Sequence, residues 1–173
     1  MSFLQVSRKV DYALRAVIHL ANEEANDRAC SVAEIAARER IPRQFLEKIV
    51  QHLIHTGLVR SRRGPRGGYV LGRPAQQMTF RDVIESVEGP ISLNVCVGEH
   101  PDCFLLGACG MNRVWLEGQR RVMDLFENTT IASVRHPVPA PLSEPGSPEF
   151  PSQGGRLSAV TDSKDLGYRG REL

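Results

Sequence analysis

Residues 31–71, SVAEIAARERIPRQFLEKIVQHLIHTGLVRSRRGPRGGYVL, decide the fold. The stretch opens on Ser31-Val-Ala-Glu34, a capping box whose serine hydroxyl and glutamate carboxylate satisfy free backbone donors at a helix start. A short helix follows, with Val32, Ile35 and Ala36 on its apolar face. Ile41-Pro42 supplies a turn, because proline disfavours helix in the residue before it and suits the first position of a new helix. Over residues 42–55 the spacing predicts a second helix burying Phe45, Leu46, Ile49, Val50 and Leu53, with Gly57 just past its end, where a left-handed cap is needed. Residues 58–62 and 68–71 read as two short strands around the loop Arg63-Gly-Pro-Arg-Gly67. Two helices, a tight turn and a hairpin make a winged helix-turn-helix, whose second helix enters the major groove of a duplex.

The outward face of that second helix carries Arg43, Gln44, Glu47, Lys48 and Gln51. Arg43 and Gln44 fall in the first turn, the part aimed at base edges, where arginine pairs with guanine and glutamine with adenine; Glu47 can accept from a cytosine amino group. In the hairpin, Arg62, Arg63 and Arg66 alternate with glycines, and Gly67, Gly68 and Tyr69 complete a wing whose backbone can approach a phosphate or a minor groove. Charge follows the same division. Residues 1–75 hold 13 Lys/Arg against 7 Asp/Glu, whereas residues 76–173 hold 9 against 13, so a formal net charge of only +2 conceals a basic N-terminal half. Such a patch suits a phosphate backbone, since each neutralised phosphate releases counterions.

Working outward, Val10, Ala13, Leu14, Val17, Ile18 and Ala21 predict a helix over 8–22 capped by Ser7. Thr79-Phe-Arg-Asp82 starts another, with Phe80, Val83, Ile84 and Val87 on one face and Gly89-Pro90 at its end. A longer helix over about 111–127 carries Met111, Val114, Trp115, Gly118, Val122, Leu125 and Phe126 as an apolar stripe, and residues 130–134 add a turn. The preceding half is too small to cover that stripe, and paired half-sites demand a two-fold protein, so it is expected to form a homodimer interface. The expected fold is therefore mostly α with a small β-hairpin wing. It divides into a DNA-binding domain at 1–75, a cysteine loop with dimerisation helices at 76–134, and a tail at 135–173. Over 136–173 lie six prolines and five glycines, a composition expected to be disordered. No apolar run reaches the roughly 20 residues needed to span a bilayer, and no secretory signal is present, so a cytoplasmic protein is expected. Paired carboxylates, a nucleophile triad and a P-loop are all missing, so an enzyme is not expected.

Four cysteines in 173 residues suggest a reducing compartment and thiolate chemistry. Cys96, Cys103 and Cys109 share one loop with spacing C-x6-C-x5-C, and Gly98, Gly107 and Gly110 allow it to turn tightly. Structural zinc favours closer pairs, whereas wide spacing lets a loop wrap an iron–sulfur cluster of two or four irons. Three thiols leave one ligand to be found, from Asp11, His100, Asn112 or an exogenous group. Cys30, alone, reads as a small buried hydrophobe.

The wing string Arg63-Gly-Pro-Arg-Gly-Gly-Tyr69, the helix Phe45-Leu-Glu-Lys-Ile49 and the three-cysteine loop followed by Trp115 resemble the bacterial iron–sulfur winged-helix regulators of the IscR, NsrR and RirA type, over residues 3–134. The resemblance implies a homodimeric transcription regulator, a repressor in sense, whose grip on a double-stranded DNA operator is set by a cluster sensing nitric oxide, redox state or iron–sulfur supply. It assigns Cys96, Cys103 and Cys109 as cluster ligands. The place of the IscR-type histidine, three residues after the last cysteine, is held here by Asn112, whereas Asp11 in the first helix matches the NsrR-type aspartate supplied by the partner subunit. The alternative within the same fold is a metal-free or zinc-bound regulator instructed by a partner protein.

Overall fold

The computed structural model describes residues 6–98, 103–105 and 108–135. Along the chain lie α1 (Arg8–Glu23), α2 (Val32–Glu39), α3 (Arg43–His55), β1 (Val59–Arg62), β2 (Gly68–Leu71), α4 (Phe80–Glu88) and α5 (Asn112–Asn128). Short 3-10 turns occupy Glu24–Asn26, Ala75–Gln77 and Ile131–Val134. The mostly helical architecture with a two-stranded wing is the one expected. His100, Gly107 and the expected tail at 136–173 lie outside the described residues.

The expected Ser7 cap is present, its hydroxyl accepting from the Val10 amide at 3.2 Å. From there α1 buries Val10, Ala13, Ala16, Val17, His19, Leu20 and Ala21, and its alanines let α2, α3 and α4 pack close around it. Ile35, Leu46, Leu53, Val59, Met78, Val83 and Ile131 fill the space between, so one core runs from α1 to the last 3-10 turn. The chain re-enters that core after α5, where the Phe80 amide donates to Thr129 and the Ile131 amide to Met78.

Three local expectations are corrected. Ser31 caps α2 by accepting from the Glu34 amide at 3.1 Å, but the Glu34 carboxylate turns to Arg28 and does not close the box. The reciprocal box is at α4 instead, where Thr79 accepts from the Asp82 amide at 3.1 Å and donates its own amide to the Asp82 carboxylate at 2.8 Å. Pro42 caps α3 from outside, its carbonyl taking the amides of Phe45 and Leu46. Phe45 is 61% exposed, because the inward arc of α3 is filled by Leu46, Ile49, Val50 and Leu53 and Phe45 sits about a quarter-turn away from it. Gly57, with φ of +74°, takes the left-handed conformation expected after the helix.

The strands pair antiparallel, with Val59 opposite Leu71 and Arg62 opposite Gly68. A third segment joins them: Cys30 and Tyr69 exchange both backbone hydrogen bonds, at 3.0 and 2.8 Å. Gly68 makes this possible. Its φ is +157°, and a Cβ there would stand 2.7 Å from the Cys30 carbonyl oxygen.

Candidate nucleic-acid interface and cysteine loop

The outward face of α3, the start of α2 and the first half of β2 enclose one open groove of about 840 Å³. Arg43, Gln44, Glu47, Lys48 and Gln51 line one side of it, Gly68 and Tyr69 the other, with Ser31, Val32 and Ala33 at the head. Seven of the eleven residues singled out from sequence as DNA-reading therefore face one concavity. Arg43 and Glu47 are both exposed and pair at 2.9 Å along α3, which orients the guanidinium ahead of any partner.

The wing arginines divide. Arg63 and Arg66 are exposed at the loop, with no carboxylate among the described residues paired to either. Arg62 is held by Asp27, donating to its carboxylate at 2.5 Å and to its carbonyl at 2.7 Å. That hydrogen bond and the guanidinium's charge keep the Asp27 carboxyl below its ordinary range. Arg62 thus fastens the wing to the turn after α1, a contact between residues 35 apart that local sequence patterns do not reveal.

The loop between α4 and α5 is tied at its start by Gln119, which accepts from the Leu93 amide at 2.9 Å and donates to the Ile91 carbonyl at 2.7 Å. A turn then brings the Val97 amide to the Asn94 carbonyl beside Cys96. At the far end the Asn112 amide donates to the Cys109 carbonyl at 3.1 Å and α5 begins. Cys96, Cys103 and Cys109 are free thiols, each half-buried. This chain by itself does not gather their sulfurs into one ligand set; among the described residues the three-membered set of His, Cys, Asp or Glu ligand atoms lying within 4.8 Å of each other is His19, Cys30 and Glu34. Asp11 is exposed on α1 and paired with Arg15 at 3.3 Å. The donor chemistry of the loop nonetheless suits iron: three soft thiolate donors sit on one segment, and the buried Asn112 Nδ2, next to the last of them, finds no hydrogen-bond acceptor. Cys30 is fully buried, as expected, and burial pushes its thiol up to about 11.

On α5 much of the apolar stripe is uncovered. Met111, Val114 and Leu125 are more than 60% exposed, Trp115 and Val122 are half-buried, and Phe126 packs on the core, its ring centroid 6.1 Å from that of Phe80. No helix among the described residues is long and apolar enough to cross a membrane.

A helix-turn-helix and a β-hairpin wing that meet at a common groove define the winged-helix class of regulator. The chain belongs to the Rrf2 family, described as iron-dependent transcriptional regulators, whose pattern matches residues 6–137. It is 35% identical over 127 residues to an HTH-type transcriptional regulator of Aquifex aeolicus, covering 72% of this chain and 87% of that one. It is 32% identical over 133 residues to another from Mycobacterium tuberculosis, covering 76% and 81%. Among solved structures, CymR, the global cysteine regulator of B. subtilis, superposes with a TM-score of 0.64 at 30% identity, covering 77% of this chain and 97% of that one. IscR of T. potens does so with a TM-score of 0.62 at 26% identity, covering 75% and 85%. The Aquifex and Mycobacterium relatives are named as regulators of transcription.

Proposed function

We propose that this transcriptional regulator acts as a homodimeric, cytoplasmic repressor that reads an operator with α3 and the wing, under the control of an iron–sulfur cluster held by Cys96, Cys103 and Cys109. The observation that carries the DNA reading is the shared groove, with Arg43, Gln44, Glu47 and Lys48 on one wall and the wing backbone on the other. Arg43 and Gln44 contact base edges, and Arg63 and Arg66 contact phosphates or the minor groove.

For the control, support comes from the family description, the likeness to an IscR and the three free thiols on one loop. Asp11 of the partner subunit supplies the fourth ligand, its exposed place on α1 leaving it accessible across a dimer. When bound, the cluster supplies a centre that reacts with nitric oxide or oxidants. The chain does the rest. Engaging Cys96 and Cys109 tightens the segment already tied to α5 by Gln119, and α5 with its exposed stripe sets the separation of the two α3 helices in the dimer. Anaerobic purification followed by iron and sulfide analysis, then titration of operator binding with nitric oxide, tests this. One cluster per chain with affinity falling as nitric oxide is added is expected; colourless protein with unaltered binding overturns it.

The second reading is a regulator without a cluster, instructed by a partner protein. It is favoured by the ungathered thiols and by the likeness to CymR, a global cysteine regulator, at 30% identity against 26% for the IscR. In that case replacing Cys96, Cys103 and Cys109 by serine leaves operator binding and its regulation intact.

A further inference from the structure

Away from the cysteine loop, a second set of donors meets beneath the wing. One ligand atom each from His19 on α1, Cys30 in the turn that pairs with β2, and Glu34 on α2 lie within 4.8 Å of one another. His19 and Cys30 are buried and Glu34 is half-buried. The His19 side chain is only 7% exposed, and its Nε2 has no hydrogen-bond partner, an arrangement that costs free energy unless something occupies the position. Its other nitrogen, Nδ1, lies 2.9 Å from the Glu39 carboxylate. A carboxylate behind a histidine, turning the opposite nitrogen toward other donors, is the arrangement that orients metal-binding imidazoles.

A positive charge already stands at the edge of the cluster. Arg28 pairs with Glu34 and with Glu23 at 3.1 Å, and its Nη1 is 3.9 Å from the Cys30 sulfur. Its side chain is 44% exposed, so it can withdraw onto Glu23 and release Glu34.

We propose that His19 Nε2, Cys30 Sγ and a Glu34 carboxylate oxygen bind one zinc-class divalent cation, with water completing a tetrahedron. One nitrogen, one sulfur and one oxygen form a borderline set that suits zinc and excludes magnesium and calcium. Donors around tetrahedral zinc stand roughly 3.4–3.8 Å apart, so separations of at most 4.8 Å need shorten by only about 1 Å. The Cys30 proton leaves to solvent as the thiolate coordinates, and the imidazole enters neutral. The ion would join α1, the head of α2 and, through the Cys30–Tyr69 backbone pair, the wing. It is a separate input to the DNA-reading face and does not depend on the cysteine loop carrying a cluster.

The test uses the full-length chain with Cys96, Cys103 and Cys109 replaced by serine, so that Cys30 is its only thiol. Anaerobic titration with cobalt(II) is expected to give one equivalent bound with a thiolate-to-cobalt charge-transfer band, displaced by zinc. Adding Cys30→Ser removes the band, and His19→Gln or Glu34→Gln weakens binding at least tenfold. Half-exposed Glu34 is the substitution that leaves the core untouched, and circular dichroism checks each variant. Failure to take up cobalt, or uptake unchanged within twofold in both His19→Gln and Glu34→Gln, overturns the proposal. Because the loop thiols are absent, neither outcome bears on the cluster.

Discussion

Single residues set what the wing and the recognition helix can each do. Arg63 and Arg66 are exposed at the loop whereas Arg62 is bonded to Asp27, so their substitutions separate. Arg63→Ala and Arg66→Ala are each expected to weaken binding to all duplexes and to flatten the salt dependence by about one unit, measured by fluorescence anisotropy over a salt series. Arg62→Ala is expected to leave the salt slope nearly unchanged and to lower stability. Arg43→Ala and Gln44→Ala are expected to alter which sequence is preferred, at about 1–3 kcal/mol of discrimination per lost base contact. At Gly68, an alanine methyl meets the Cys30 carbonyl at 2.7 Å, so Gly68→Ala is expected to cost about 1–3 kcal/mol in urea unfolding. What was legible in sequence at this scale was the type and spacing of side chains along one helix or hairpin. The Arg62–Asp27 bond and the His19–Cys30–Glu34 cluster were not, since each joins residues from separate elements that only packing of the core brings together.

Elements begin and end where the sequence says they should when the signal is local. Ser7, Thr79 and Gly57 act at positions within a few residues of themselves, and all three do what their types predict. Glu34 departs from its expected capping role because a tertiary partner, Arg28, competes for it, and Phe45 departs because the core had room for only one arc of α3. The α4 box makes a quantitative case. Thr79→Ala is expected to cost about 1 kcal/mol, read by denaturant unfolding. Burial alone would raise the Asp82 carboxyl, but the Thr79 amide and hydroxyl and the Arg73 guanidinium outweigh it and hold the group below its ordinary 3.8. A depressed folded value means that the contribution is complete above 3.8 and is lost as pH falls through the lowered value. Acid unfolding of Asp82→Asn should therefore show a shallower loss of stability below that pH than the parent chain.

For the whole molecule, the question is what covers α5. A stripe with Met111, Val114 and Leu125 largely exposed is a large apolar surface for a single chain. Val114→Glu or Leu125→Glu is expected to convert a dimer to monomers in sedimentation equilibrium and to reduce operator affinity, since one recognition helix reads only a half-site. The proposed dimer also predicts its operator: two half-sites one helical turn apart, about 34–36 Å, arranged as an inverted repeat. The wing, meanwhile, is bound on both margins, to Cys30 through its backbone and to Asp27 through Arg62. In the proposed complex it would meet a duplex already preorganised, so little of the binding free energy is expected to go into freezing a loop. Encounter should accordingly be quick and governed by long-range charge attraction, with selectivity between sites expressed chiefly in how long each complex lasts.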